Sequence, residues 1–232
     1  MTTAAPPGTD APAGSTRTKL TGIRRTAARR MIAAWAAPVF HLSVEVDMTN
    51  ALRTKESEPT ATVTDALLAA CATALRAHPA LNAHYADEVV TSFDAVHLGV
   101  AVATGAGLMV PVIHGADGLR LPDLAAARKD VVARARAGTL AMADVSGGTF
   151  TVSNLGMMGI DRFDAILNVP QVAILAVGST RQRQVWVGDP QTGEPGWRPI
   201  AEFTLTCDHR AIDGATGAAF LARIRDEVQA PR

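Results

Sequence analysis

The chain lacks most of the features that assign a sequence to a class at a glance. It has no net charge, with 22 lysines and arginines against 22 aspartates and glutamates. That balance advertises neither nucleic acid nor an anionic membrane as a partner. No apolar run approaches the length of a membrane span. Residues 1–16 lack the charged and apolar regions of a secretory leader, so the cytoplasm is the expected compartment. Two cysteines, Cys71 and Cys207, stand far apart in the sequence, which excludes a disulfide framework. No cysteine–histidine spacing resembles a zinc site, and no metal is expected. Gly105-Ala106-Gly107 is too short and wrongly placed for a dinucleotide or phosphate loop. The Gly-x-Ser-x-Gly elbow of serine hydrolases is missing as well.

What is present is enough to fold. Hydrophobic residues make up 48% of the 232 and charged ones 19%, an ordinary globular composition with room for a real core. Residues 1–17, rich in alanine, proline and glycine, are expected to form a flexible tail or linker remnant, and 18–232 a single domain. Ile23, Ala27, Met31 and Trp35 recur every four residues and predict a helix that Pro38 ends. Arg24, Arg25, Arg29 and Arg30 share it, either as a solvated face or with one turned inward to a carboxylate. Phe40 to Met48 alternates as a half-buried strand. Thr64–Ala77 predicts a second helix with Leu68, Cys71 and Leu75 inward. Val96–Ala103 and Leu108–Ile113 are expected strands, the second at an edge or bulged because of Pro111. Pro122 opens and Gly138 closes a third helix. Residues 182–199 are expected to form a hairpin. Helices separated by pairs of strands predict an α/β two-layer sandwich with a mixed central sheet.

Two strand ends carry candidate chemistry. Glu202–Cys207 alternates as a strand and stops at Asp208-His209-Arg210-Ala211-Ile212-Asp213-Gly214. A helix-like run follows, so His209 sits at a strand-to-turn junction that fixes a side chain and leaves its tip open. An imidazole, with a reference pKa of about 6.5, can take a proton near neutrality. His209 is therefore a candidate general base. Ser153 ends another short strand. It could donate to an oxyanion, a contact worth roughly 3 kcal/mol of barrier, or merely cap a turn. Together the two point to acyl transfer or hydrolysis.

The Asp208–Gly214 stretch resembles the active-site signature of the acyltransferase component of 2-oxoacid dehydrogenase complexes. Gly147–Gly159, with Ser153-Asn154-Leu155-Gly156 in register, resembles that family's second signature. Gly22–Trp35, Gly99–Ile113 and Asn168-Val169-Pro170-Gln171 fit in the right order. The His-x-x-x-Asp-Gly element is shared with chloramphenicol acetyltransferases. The resemblance implies a chloramphenicol-acetyltransferase-like fold and a catalytic domain over 18–232. The implied activity is transfer of an acyl group, acetyl first, between a dihydrolipoyl thiol and coenzyme A.

In that reading His209 is the base and Ser153 the oxyanion donor, while Asp213 holds the turn by pairing with Arg24 or Arg25. Phe163, Ile166 and Leu175 match the lipoyl side of a channel, and Leu108, Val110 and Pro111 lie toward coenzyme A. The site lies between subunits of a homotrimer. The lipoyl group is carried on another domain or protein, and the dehydrogenase and dihydrolipoamide dehydrogenase components are the further partners. An end of Gln229-Ala230-Pro231-Arg232, without the apolar tail of cage-forming members, leads us to expect discrete trimers. Three other readings stay open: transfer to an acyl carrier protein in biosynthesis, a non-catalytic scaffold core, and acetylation of a small hydroxyl compound.

Overall fold

A computed structural model describes residues 14–20, 22–189 and 191–231. Most of the expected tail, and the side chain of Ile23, lie outside these residues. Helix α1 (Gly22–Trp35) leads into β1 (Val39–Asp47). Two single turns, α2 (Thr49–Leu52) and α3 (Thr54–Ser57), precede α4 (Val63–Ala77). A hairpin of β2 (Ala83–Ala86) and β3 (Val89–Ser92) follows, then β4 (Leu98–Val100), β5 (Val102–Thr104), β6 (Gly107–Met109) and β7 (Val112–Ile113). The remainder is α5 (Leu121–Ala137), β8 (Phe150–Asn154), β9 (Ala173–Val177), β10 (Arg181–Val187), β11 (Glu194–Asp208) and α6 (Gly214–Gln229).

The central sheet is mixed, in the order β1-β11-β9-β8-β4-β7, with β10 on the far half of β11. Strand β8 runs parallel to β4 and β9, and the other pairings are antiparallel. Helices α4 and α6 pack on one face. There Phe203, Leu205 and Cys207 of β11 are fully buried with Phe150, Leu175, Leu68, Cys71 and Leu75. Each large apolar side chain removed from water in this way contributes roughly 1.5–3 kcal/mol. The opposite face is polar yet covered. Thr151, Thr204 and Thr206 are each 1% exposed, and His41 Nδ1 lies 2.9 Å from Thr206 Oγ1. Leu167 from the irregular segment before β9, Ala34 of α1 and Ala37 just beyond it cover Ile174 on this side.

The expected helices stand within a residue or two of their predicted bounds. Proline lies in the first turn of α5, and Gly138 closes that helix at φ 71°, a left-handed turn glycine adopts without strain. Two expectations are corrected. Val96–Ala103 and Leu108–Ile113 are not continuous strands. The chain leaves the main sheet after Val100 and rejoins it at Val112, and β5 and β6 pair only with each other. At the break Pro111, which has no N–H, still accepts a bond from Val100 N through its carbonyl at 2.9 Å. Strand β7 is an edge strand, as Pro111 implied. The apolar stripe of α1 is the second correction. Met31 is 37% and Trp35 83% exposed, so within one chain the helix does not bury its apolar face. No helix of the described residues is long and apolar enough to cross a membrane.

One buried ion pair joins two helices. Asp65, fully buried, accepts from Thr62 N–H and hydroxyl at 2.8 Å each, and Arg128 of α5 grips it with Nε and Nη2. Burial alone would raise the Asp65 carboxyl, but the bonds from Arg128 and Thr62 outweigh it and hold the group below its usual range. We expect Arg128→Ala to cost about 3 kcal/mol in urea unfolding at neutral pH, because the carboxylate is left buried without its cation. The contribution is present above the unfolded pKa of about 3.9 and is lost as pH falls, so the two curves should converge in acid. A second expectation concerns the β2–β3 turn, where Asp87 and Glu88 adopt φ 50° and 63°. Glu88→Gly should raise stability by roughly 1 kcal/mol in the same assay, since glycine fits that left-handed position.

Candidate active site

His209 follows β11 directly. Its side chain emerges on the same side as Cys207, which pairs with Phe40 of β1. The imidazole rests on the Phe40 ring, centroids 4.7 Å apart, and is exposed. His209 N–H donates to Pro38 O at 2.9 Å. Behind it α6 comes unusually close. A Cβ built on Gly217 would lie 2.9 Å from Leu42 and 3.4 Å from Cys207 Sγ, so glycine lets the helix seat against the strands that carry the histidine. Cys207 itself is buried, and burial followed by the charge of Asp208 pushes its thiol up to about 12. It packs rather than reacts. Cys71, likewise fully buried, has a thiol pushed up to about 12 by burial alone.

Asp213 caps α6. Its Oδ1 accepts from Thr216 N–H at 2.7 Å, satisfying one of the amides that a helix start leaves open. That backbone bond heads the influences that hold its carboxyl below the usual range, and nearby His209 adds to it. Among the described residues no ion pair joins Asp213 to Arg24 or Arg25. Arg24 instead lies beside Gly107 of the β5–β6 hairpin. The anchoring expected of an arginine is supplied within the chain by the helix, because a cap needs only the residue three places on.

Ser153, next to last in β8, lies on the covered polar face of the sheet, in register with Ala176 of β9. Asn154 Oδ1 accepts from Gly156 N–H at 2.9 Å and turns the chain away. Among the described residues the Ser153 hydroxyl makes no hydrogen bond. Ser153 and His209 lie at opposite ends of the sheet. Ala176 pairs with Thr204, so His209 stands five residues further along β11 and two strands across. At about 3.3 Å per residue the separation along the strand alone is roughly 17 Å. The two groups cannot meet in one chain.

The remaining expected site residues divide. Phe163 is half-buried and Ile166 is 49% exposed, both on the irregular segment that crosses the polar face. Leu108 is 59% exposed on β6, Val110 is half-buried and Pro111 is buried. Leu175 does not line a channel within the chain. It pairs with Leu205 and Val152 in mid-sheet and is fully buried toward the helices. Its parity along β9 decides this, and position within a motif does not show parity. Among the described residues no cluster of three or more histidine, cysteine or carboxylate side chains could hold a metal ion. Sequence reasoning missed the role of the residues flanking His209: buried Asp208 is gripped by Arg210. An Asp-x-Arg pair bracketing the histidine where the strand gives way to a turn was the available signal.

Comparison with known proteins gives a consistent picture. The family model described as 2-oxoacid dehydrogenases acyltransferase (catalytic domain) matches residues 12–232. The chain is 36% identical over 229 residues to the dihydrolipoyllysine-residue acetyltransferase component of the mitochondrial pyruvate dehydrogenase complex of Dictyostelium discoideum, covering 96% of this chain and 35% of that protein. It is similar to the crystal structure of a probable dihydrolipoamide acetyltransferase from Listeria monocytogenes 4b F2365, at TM-score 0.86 and 32% identity, covering 94% of this chain and 95% of that one. A chloramphenicol acetyltransferase shares the fold at TM-score 0.55 and 11% identity, covering 87% and 94%. The chain spans 35%, 51% and 55% of the length of three curated relatives it matches.

The capping geometry of Asp213 has a direct consequence. Asp213→Ala should lower the melting temperature by roughly 2–4 °C, whereas Asp213→Asn, an equally good cap, should leave it nearly unchanged. Equal losses in both variants would mean that the fold uses the charge and not the cap.

Proposed function

Because the chain belongs to the family of 2-oxoacid dehydrogenase acyltransferase catalytic domains, we propose that it transfers an acyl group, acetyl first among candidates, between a dihydrolipoyl thiol and coenzyme A. The observation that carries this reading is the pairing of an exposed, strand-end histidine with an unengaged, strand-end serine hydroxyl at the two ends of one sheet. In the forward direction His209 takes the proton from the coenzyme A thiol. The thiolate attacks the carbonyl carbon of the acyl-lipoyl thioester, and Ser153 donates a hydrogen bond to the oxyanion. Collapse of the tetrahedral intermediate breaks the bond to the lipoyl sulfur, which receives the proton back from His209. The proton moves as the new bond forms, which is general acid–base catalysis by a positioned imidazole.

The separation of the two groups gives this chemistry a quaternary condition. His209 of one subunit must face Ser153 of a neighbour, and a homotrimer with an active site at each interface meets that condition with closed symmetry. Phe163 and Ile166 belong to the lipoyl side and Leu108, Val110 and Pro111 to the coenzyme A side. The carrier is a lipoyl-bearing domain or protein, with the dehydrogenase and dihydrolipoamide dehydrogenase components as further partners. The cytoplasm is the proposed compartment.

A thiol-release assay with acyl-CoA and free dihydrolipoamide tests the reading. His209→Ala should lower kcat by about 10²–10⁴-fold and Ser153→Ala by about a hundredfold or more, with the assembly intact by sedimentation. Wild-type protein without turnover on any donor, or full activity in His209→Ala, would overturn it. Subunit mixing tests the split site separately. His209→Ala and Ser153→Ala chains refolded together at equal ratio should recover about a quarter of wild-type activity, since each mixed trimer regains one of its three sites. No recovery would place both groups in one chain.

A further inference from the structure

The carboxylate of Asp208, 2% exposed, is filled by the residue two places on. Arg210 donates to it from its backbone N–H at 3.0 Å, from Nε at 2.9 Å and from Nη2 at 2.6 Å. The guanidinium carbon in turn lies 4.2 Å from the centroid of the Tyr85 ring on β2. Tyr85 N–H donates to Pro170 O at 2.8 Å, and Asp208 N–H donates to Val172 O at 2.9 Å. The segment entering β9 thus holds the tyrosine and the histidine turn in one frame. Asp208 and Arg210 bracket His209. His209 and Arg210 lie in a turn in which Ala211 and Ile212 N–H donate to Asp208 O at 3.1 and 3.0 Å, so the Asp208–Arg210 contact ties the turn across the histidine while the imidazole rests over Phe40. The Arg210 side chain is 36% exposed, which leaves it a route into water. The Tyr85 ring covers the guanidinium face and opposes that departure.

We propose that Tyr85 is a positioning residue for His209, its ring closing the Asp208–Arg210 clamp that sets the direction of the imidazole. Tyr85 touches no substrate in this role. The inference rests on the acyl-transfer reading for its kinetic consequence but not for its structural one. A base misdirected by an ångström costs up to about a hundredfold in rate, and partial loosening should cost less.

The test compares Tyr85→Leu, which keeps an apolar side chain and removes the aromatic face, with Tyr85→Phe, which keeps the face. Tyr85→Leu should lower kcat per folded trimer roughly tenfold and leave KM for coenzyme A within about twofold, and Tyr85→Phe should restore kcat. In an Arg210→Lys background, where the bidentate grip is already lost, Tyr85→Leu should cause little further loss. Wild-type kcat in Tyr85→Leu, an equal loss in Tyr85→Phe, or a full additional loss in the Arg210→Lys background would overturn the inference. A raised KM with kcat unchanged would also overturn it, because the ring would then contact substrate. Imidazole NMR signals of His209 give a readout independent of turnover. They should shift in Tyr85→Leu and not in Tyr85→Phe. Unshifted signals in Tyr85→Leu would sink the positioning role even if the wild type proved to have no transferase activity.

Discussion

The double burial of β11 is the constraint from which the rest of the structure follows. Its inner half is paired on both edges, by β1 and by β9. Phe203, Leu205 and Cys207 face the helices, while Thr204, Thr206 and Asp208 are 1–2% exposed on the opposite side. A slip of one residue would put threonines and an aspartate into the apolar layer. The register is therefore fixed, and so is the phase at which the chain leaves the sheet. His209 inherits its direction from Cys207 two places earlier. The close seat of α6 at Gly217 and the cap at Asp213 hold the far side of the turn.

The same ladder keeps the two candidate groups apart. Strand β8 runs parallel to β9, and β9 runs antiparallel to β11, so Ser153 and His209 finish at opposite ends of one rigid layer. Placing each group on a strand end gives precision that loops do not. It also makes the proposed chemistry depend on association. Other features of the single chain fit a protein that assembles. Met31, Ile32 and Trp35 are exposed on α1, and His41 and Ser43 are exposed on β1 with their side chains bonded to Thr206 and Thr204 of β11.

Much of this was legible residue by residue. The apolar spacing of Leu68, Cys71 and Leu75 located α4, Pro122 and Gly138 bounded α5, and the alternation from Phe40 located β1. These signals are local, because helix caps, turn conformations and strand parity act over three or four residues. The ends of β8 and β11 were legible for the same reason, and with them the positions of Ser153 and His209. The sequence marks Asp213 as an anchor, but the arginines of α1 do not pair with it in the described residues, and the amide of Thr216, three places on, holds it instead.

By itself, then, the sequence determined the layers, the helix faces and the two strand ends, since each depends on short-range periodicity and capping. Only the tertiary structure decided which strands neighbour one another, and with that the distance from Ser153 to His209, the burial of Leu175, and the break between β4 and β5. It also brought Tyr85 over Arg210, more than a hundred positions apart. Strand order and cross-sheet contacts arise from packing among remote segments, and no local spacing encodes them.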